Sequence, residues 1–178
     1  MSNTSDSMLD ALKGYIKTEM EGHQFYRIAA ERTEDTLGKK MFTSLANDEL
    51  DHARKLSSEY SSVSQTGHWL SDDELSRESR EGKTPAPIFP SDPQQVAAMI
   101  PEGADDLQAL KIAIDIEKES IERYTRAAGE TSDEAAQAVF QHLVAEEKQH
   151  LRTVESSYEY LADTGSWFQD MEKPIFEG

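Results

Sequence analysis

The chain has 178 residues, enough for one domain with a buried core, and a formal net charge of −17. Such an acidic excess argues against nucleic acid or an anionic membrane surface as partners, because both require basic patches. The chain contains no cysteine, which excludes disulfides, iron–sulfur clusters and thiolate metal sites.

The first twelve residues have neither a basic start nor an apolar run. Neither a signal peptide nor a membrane span is therefore predicted, and a cytoplasmic protein is expected.

Two amphipathic helices are predicted first, over about residues 6–32 and 37–62. Only a short turn, residues 33–36, separates them, so they should pack as antiparallel neighbours. Their inward stripes recur at steps of three and four: Leu12, Ile16, Glu19, His23, Tyr26 and Ala30 in the first, and Phe42, Leu45, Glu49, His52 and Leu56 in the second.

Residues 63–104 form a long connection with no sustained hydrophobic period. It contains four closely spaced prolines and a charged run over residues 72–83, and one short helix is predicted from Asp92 to Met99. Geometry explains the length, because a helix of about 26 residues is roughly 39 Å long and a crossover must return along it.

Two further helices are predicted over about residues 105–128 and 132–162. Asp105 or Asp106 should cap the first, Ser132 should cap the second, and Gly165 should end it. The tail, residues 165–178, is predicted to be extended, with Trp167, Phe168, Ile175 and Phe176 available to pack on the bundle or on a second subunit. The inward stripes are Leu110, Ile114, Glu117, Ile121, Tyr124 and Ala128, then Phe140, Leu143, Glu147, His150 and Val154.

An internal repeat relates the two helix pairs. Adding 98 to a residue number in the first pair gives its counterpart in the second, including Tyr26 to Tyr124 and Phe42 to Phe140. A duplicated half that cannot close a core alone predicts two hairpins paired about a pseudo-two-fold axis. The repeat also duplicates one constellation, a Glu followed thirty residues later by Glu-x-x-His: Glu19, Glu49 and His52, then Glu117, Glu147 and His150.

These six residues predict a centre for two metal ions. Residues three apart share one helix face, so each Glu-x-x-His offers an oxygen and a nitrogen to the same point. One Glu from each of two helices and one Glu-x-x-His from each of the others is the ligand set of di-iron and di-manganese bundles. The six residues lie in line with apolar positions, whereas surface ion pairs would lie opposite them. Mixed oxygen and nitrogen ligands suit iron or manganese, while zinc or copper could bind in vitro.

The segments Glu19-Met20-Glu21-Gly22-His23-Gln24-Phe25-Tyr26 and Asn47-Asp48-Glu49-Leu50-Asp51-His52, with their second copies, resemble the rubrerythrin branch of the ferritin-like superfamily. The resemblance covers all four helices and implies one ferritin-like four-helix bundle over residues 1–178. It implies that Glu49 and Glu147 bridge two irons, that Glu19 and Glu117 are terminal ligands, and that His52 and His150 each complete one iron.

Four further residues have two interpretations each. In relatives, tyrosines placed like Tyr26 and Tyr124 hydrogen-bond to the ligand carboxylates; otherwise the two are core aromatics. In bacterioferritin-like proteins the position of Asp48 and Glu146 supports the opposite histidine, which pairs Asp48 with His150 and Glu146 with His52. The alternative is solvated helix charge.

The remaining histidines and tryptophans are predicted to have structural roles. His23, where the second copy has Ile121, is expected to be a packed or hydrogen-bonded histidine rather than an alternative ligand. His68 and His142 are expected at the surface, and Trp69 and Trp167 should cover the ends of the bundle.

The chain departs from typical rubrerythrins in two respects. They carry a rubredoxin-like domain with four cysteines that relays electrons, and this chain has no cysteine. They also carry a seventh Glu one turn after the third-helix ligand, where this chain has Ser120; its helix 1 equivalent is Gly22.

Three functions fit the constellation. The first is a di-iron oxidoreductase that reduces peroxide or dioxygen with electrons from an external donor protein. The second is a ferroxidase that feeds iron storage, although the tail does not resemble the fifth helix of ferritin cages. The third is a non-catalytic bundle in which the metals only hold the core. A homodimer is expected from the resemblance and from how common two-fold dimers are.

Overall fold

The computed structural model describes residues 2–71, 74–75, 93–165 and 167. Within them it contains α-helices and no strand, so the predicted all-α fold is confirmed. The five helices of the described part are α1 (Ser2–Arg32), α2 (Thr36–Thr66), α3 (Pro93–Met99), α4 (Asp106–Glu130) and α5 (Glu134–Thr164).

Two helical hairpins make up the bundle. Helix α1 packs along α2, and α4 packs along α5, as the short connections between them require. Short helix α3 lies against α1. None of the described helices is both long and apolar enough to cross a membrane.

Local sequence features explain where the helices begin and end, and some of these ends differ from the predicted bounds. Helix α1 begins at Ser2 rather than near residue 6, because no Pro or Gly interrupts the polar start. Helix α2 runs on to Thr66, where Gly67 adopts the left-handed conformation at φ 77° and its N–H donates to the Val63 carbonyl. Gly165 ends α5 in the same way, as predicted.

The predicted turn and cap between α4 and α5 are wrong in detail. Helix α4 continues through Gly129 to Glu130, and the N-cap of α5 is Asp133 instead of Ser132. The Asp133 carboxylate accepts from the N–H groups of Ala135 and Ala136, so it satisfies two donors at once. At α4 the cap is Asp105, one of the two predicted candidates.

Two apolar clusters fill the bundle, one toward each end. The first includes Phe25, Phe42 and Leu110, and the second includes Leu12, Leu56 and Phe140. On each of the four long helices, the residues of the repeated constellation lie between the positions that belong to one cluster and those that belong to the other. The predicted metal ligands therefore occupy a polar layer enclosed between two apolar clusters.

Each tryptophan packs against a phenylalanine of one cluster. Trp167 packs edge-on against Phe42, and its indole N–H donates to Asp106 Oδ2 at 2.8 Å. Trp69 packs edge-on against Phe140. Several predicted features lie outside the described residues. They are the start of the short helix at Ser91 and Asp92, most of the charged run of residues 72–83, most of the proline-rich stretch, and the tail residues Phe168, Ile175 and Phe176.

Candidate metal centre

The structure brings the six predicted ligands to one place. All six side chains are buried; Glu117 is 0% exposed, and Glu19 and Glu147 are 1% exposed. Ionised carboxylates in a dry interior cost several kcal/mol each unless they are compensated. Four of them in one layer need compensating positive charge, from cations or from bound protons.

The donors fall into two groups, in each of which one atom from every member lies within 4.8 Å of the others. Two residues, Glu49 and Glu147, belong to both groups. The groups are Glu19, Glu49, His52 and Glu147, and Glu49, Glu117, Glu147 and His150.

The two shared carboxylates each turn one oxygen toward each imidazole. Glu147 Oε1 lies 3.0 Å from His52 Nδ1, and Glu147 Oε2 lies 3.3 Å from His150 Nδ1. Glu49 does the same, with Oε2 at 4.0 Å from His52 Nδ1 and Oε1 at 3.4 Å from His150 Nδ1. This is the arrangement in which one carboxylate can serve two ions, whereas Glu19 and Glu117 each belong to a single group.

Several buried atoms that could coordinate a metal ion have no hydrogen-bond partner. They are Glu117 Oε2, both oxygens of Glu147, and His150 Nδ1. Buried polar atoms are nearly always satisfied, and leaving one unsatisfied costs about 1–3 kcal/mol. Because these atoms converge on one another, a pair of cations fits the donors that the chain presents.

Two tyrosines cross between the hairpins and donate hydrogen bonds to Glu117 and Glu19. Tyr26 donates from its hydroxyl to Glu117 Oε1, and Tyr124 donates to Glu19 Oε1. Burial, followed by the nearby carboxylate charges, raises the pKa of both phenols well above its ordinary value. The phenols therefore stay protonated and act as donors, so the hydrogen-bonding interpretation of these tyrosines is the one the structure shows.

The outer nitrogens of the two histidines face carboxylates on the opposite hairpin. His52 Nε2 lies 3.2 Å from Glu146 Oε2, and His150 Nε2 lies 3.5 Å from Asp48 Oδ2. These are the two predicted pairs. A carboxylate at Nε2 favours the tautomer with the proton on that nitrogen and leaves the Nδ1 lone pair toward the centre.

The ionisation of these groups reflects crowding of like charge. Burial and then the neighbouring carboxylates raise the pKa of Glu49 and Glu117 well above its usual range. Burial alone would raise the pKa of Glu147, but the two imidazoles hold it below its usual range. Without cations, the layer is neutralised by protons, which metal ions displace when they bind.

The imidazoles show the complementary effect. Burial alone would lower the pKa of His150, but the carboxylates of Asp48, Glu147 and Glu49 raise it to about 12. Burial would likewise lower the pKa of His52, and the carboxylates around it raise that pKa well above its ordinary value.

One glycine shapes the space around a shared carboxylate. A Cβ added at Gly22 would lie 3.2 Å from Glu49 Oε2 and 3.3 Å from its Cδ. The absence of a side chain at residue 22 therefore leaves room for the Glu49 carboxylate. The equivalent position in α4 is the buried Ser120.

The other histidines lie outside the centre. His23 Nδ1 is 2.6 Å from the Ala46 carbonyl oxygen, so it is a hydrogen-bonded histidine as predicted. His68 is exposed. His142 is 62% exposed, yet its Nε2 lies 3.2 Å from Glu146 Oε2, a contact the sequence interpretation missed although the spacing of four residues permits it.

A lysine near His52 was also missed. Lys55 Nζ lies 3.0 Å and 3.3 Å from the two oxygens of Glu146 on the opposite hairpin. No local pattern indicates this contact, because it joins residues 91 apart in the chain.

Together, the fold and this layer define a helical bundle with a buried cluster of carboxylates and imidazoles, which is the donor set of carboxylate-bridged di-metal four-helix bundles. A search with family models extends that assignment, since the Rubrerythrin family model matches residues 10–158. The chain therefore belongs to the rubrerythrin family, and the predicted resemblance is confirmed. Searches of curated proteins and of solved structures found no match.

Proposed function

We propose that this protein binds two iron ions and reduces peroxide or dioxygen with electrons from an external donor. The observation that carries the proposal is the pair of buried donor groups that share Glu49 and Glu147. Glu19 and His52 would complete one iron position, and Glu117 and His150 would complete the other.

The donor set supports iron. Every ligand is a carboxylate or an imidazole, a combination that suits iron or manganese and offers no thiolate for softer metals. Four glutamates carry four negative charges, which two divalent cations neutralise. Manganese or zinc can occupy such a site in vitro, so the metal must be identified in protein purified from its native source.

When bound, two ferrous ions would supply two electrons, enough to cleave the oxygen–oxygen bond of hydrogen peroxide or to reduce dioxygen, with two protons, to hydrogen peroxide. For hydrogen peroxide, two electrons and two protons give two molecules of water. The protein contributes fixed positions from four helices and a layer closed to bulk water by two apolar clusters. Tyr26 and Tyr124 hold the terminal carboxylates, and Asp48 and Glu146 orient the imidazoles.

The electron donor is proposed to be a separate protein. Among the 178 residues there is no cysteine, so this sequence contains no four-cysteine iron site of the rubredoxin type. Each turnover must therefore be completed by electrons that reach the buried layer from outside the bundle.

The test is anaerobic loading with Fe(II), followed by stopped-flow absorbance after addition of peroxide or dioxygen. A ferric chromophore that forms rapidly at two irons per chain, and faster with peroxide, is the expected result. A Glu49→Gln, Glu147→Gln double variant should lose it because both shared ligands are gone. Glu122→Gln is the matched control, since Glu122 is 75% exposed on α4.

Three other results would contradict the proposal. Continued oxidation of many irons per chain, with a many-subunit assembly, would assign the protein to ferroxidation and iron storage. Stoichiometric binding of two irons without turnover, even with a chemical reductant present, would make the centre structural. Absence of stoichiometric binding in the wild-type protein would exclude the di-metal site itself.

A further inference from the structure

The two halves of the centre differ in the charge that lies behind each histidine. Behind His52, Glu146 contacts Lys55 at 3.0 Å and His142 at 3.2 Å. Behind His150, Asp48 has no ion pair with Lys or Arg among the described residues, and its side chain is 49% exposed. The internal repeat relates the ligands of the two halves, but it does not extend to these basic residues.

Sequence numbers show where the difference arises. Adding 98 to Lys55 gives Thr153, and subtracting 98 from His142 gives Ser44, so neither basic residue has a basic counterpart. The acidic residues do correspond, Asp48 to Glu146. The outer carboxylate is duplicated, and its neutralising lysine is not.

Contacts connect this lysine to the metal ligands through one carboxylate. Lys55 Nζ contacts Glu146 Oε2, and this oxygen lies 3.2 Å from His52 Nε2. The other ring nitrogen, His52 Nδ1, lies 3.2 Å from Glu19 and 3.0 Å from Glu147. Lys55 is 22% exposed, so water screens its charge less than that of a fully exposed lysine. The pair of Lys55 and Glu146 adds no net charge behind His52, whereas Asp48 adds one negative charge behind His150.

We propose that Lys55 is a positioning residue that makes the two metal positions unequal in redox potential. A more positive surrounding favours the lower charge state of a metal ion, and a more negative one favours the higher. The position completed by His52 is therefore the one that retains Fe(II), and the position completed by His150 is the first to become Fe(III). This inference rests on the proposed di-iron function.

A redox titration of the iron-loaded protein tests the proposal. Mediators and dithionite deliver one electron to each Fe(III), and electron paramagnetic resonance follows the form that holds one Fe(II) and one Fe(III). Lys55→Met removes the charge and keeps the chain length. It should shift the higher-potential step to more negative potential, by the equivalent of an about tenfold change in the ferrous-to-ferric ratio. One unit charge about 10 Å away at an effective dielectric constant of about 20 has an effect of that order.

Two variants separate charge from packing. Lys55→Arg keeps the positive charge and should titrate like wild type. Arg126→Met removes an equal charge at an ion pair with Glu122, where the arginine side chain is 63% exposed and nine residues along α4 from Glu117, and it should leave the potentials unchanged. If Lys55→Met titrates like wild type, or if Lys55→Arg shifts the step as far as Lys55→Met does, the proposal is wrong.

Iron stoichiometry separates this failure from failure of the proposed function. If wild type binds two irons and only the Lys55 effect is missing, the inference about Lys55 falls and the di-iron function stands. If wild type does not bind two irons, both fall.

Discussion

At the scale of single residues, the centre depends on hydrogen bonds that link one hairpin to the ligands of the other. The two tyrosines illustrate this, because each belongs to one hairpin and fixes a terminal carboxylate of the opposite one. Partners of this kind orient a ligand without touching the metal, and their loss typically lowers metal affinity by about 10–100-fold.

We expect Tyr124→Phe to weaken Mn(II) or Fe(II) binding by about tenfold, because the ring still packs while Glu19 Oε1 loses its donor. Competition with a chelator of known affinity measures the change. Tyr158→Phe is the control, since Tyr158 is partly buried against the core, away from the ligands. Equal affinities for wild type and Tyr124→Phe would show that the hydroxyl does not position the ligand.

Gly22 supplies a second prediction at this scale. Replacing a mid-helix glycine by alanine normally stabilises a helix by about 0.5–1 kcal/mol. At Gly22 the new Cβ would press on Glu49, so Gly22→Ala should weaken metal binding whatever it does to stability. Gly14 lies in the same helix with nothing within 4 Å of its added Cβ, so Gly14→Ala should stabilise the protein and leave binding intact.

Chelator competition measures the metal affinity of the Gly22→Ala and Gly14→Ala variants, and urea denaturation of their metal-free forms measures their stability. Unchanged metal affinity in Gly22→Ala would mean that Glu49 can move aside at no cost.

At the scale of elements, each helix end is held by a specific side chain or glycine. The start of α5 is the clearest case, because the Asp133 carboxylate accepts two backbone N–H groups at 2.9 and 3.1 Å. Ser132, exposed and adjacent, makes no such contact with the first turn in the described structure.

Asp133→Ala should therefore lower the free energy of unfolding by about 1 kcal/mol, the usual effect of losing an N-cap. Ser132→Ala should change it by less than about 0.5 kcal/mol, as a surface substitution does. Urea denaturation of the metal-free protein compares the two. A larger effect at Ser132 than at Asp133 would contradict the cap assignment.

At the scale of the whole molecule, folding brings four carboxylates into one buried layer, so stability and metal content are linked. Any ion that binds the folded chain but not the unfolded chain stabilises it by mass action. At a free concentration one hundred times the dissociation constant, one site contributes about 2.7 kcal/mol.

We accordingly expect Mn(II) to raise the melting temperature of the metal-free protein, measured by circular dichroism. The Glu49→Gln, Glu147→Gln variant should show little or no rise with the same ion, because both shared ligands are altered. A rise of equal size in this variant would place the stabilising site elsewhere.

The oligomeric state is a further property of the whole molecule, and the homodimer stays a prediction. Light scattering after size-exclusion chromatography should give twice the 20.0 kDa of one chain. A monomer would rule out any role for a second subunit in the centre.

Local sequence patterns were enough to predict the four long helices, their inward stripes, the 98-residue repeat and the six candidate ligands. This is possible because a helix repeats every 3.6 residues, so that residues three or four apart share a face whatever the rest of the chain does. The reciprocal pairs of Asp48 with His150 and Glu146 with His52 could also be predicted, but only through the family resemblance.

Three features could be seen only in the folded chain: the contacts of Lys55 with Glu146, the packing of Trp167 against Gly38, and the choice of Asp133 over Ser132 as N-cap. The first two join residues 91 and 129 apart in the chain, and the third depends on the backbone angles at the turn between α4 and α5. Such contacts are set by how two hairpins approach and which rotamers that approach permits, and neither quantity is encoded in a local period.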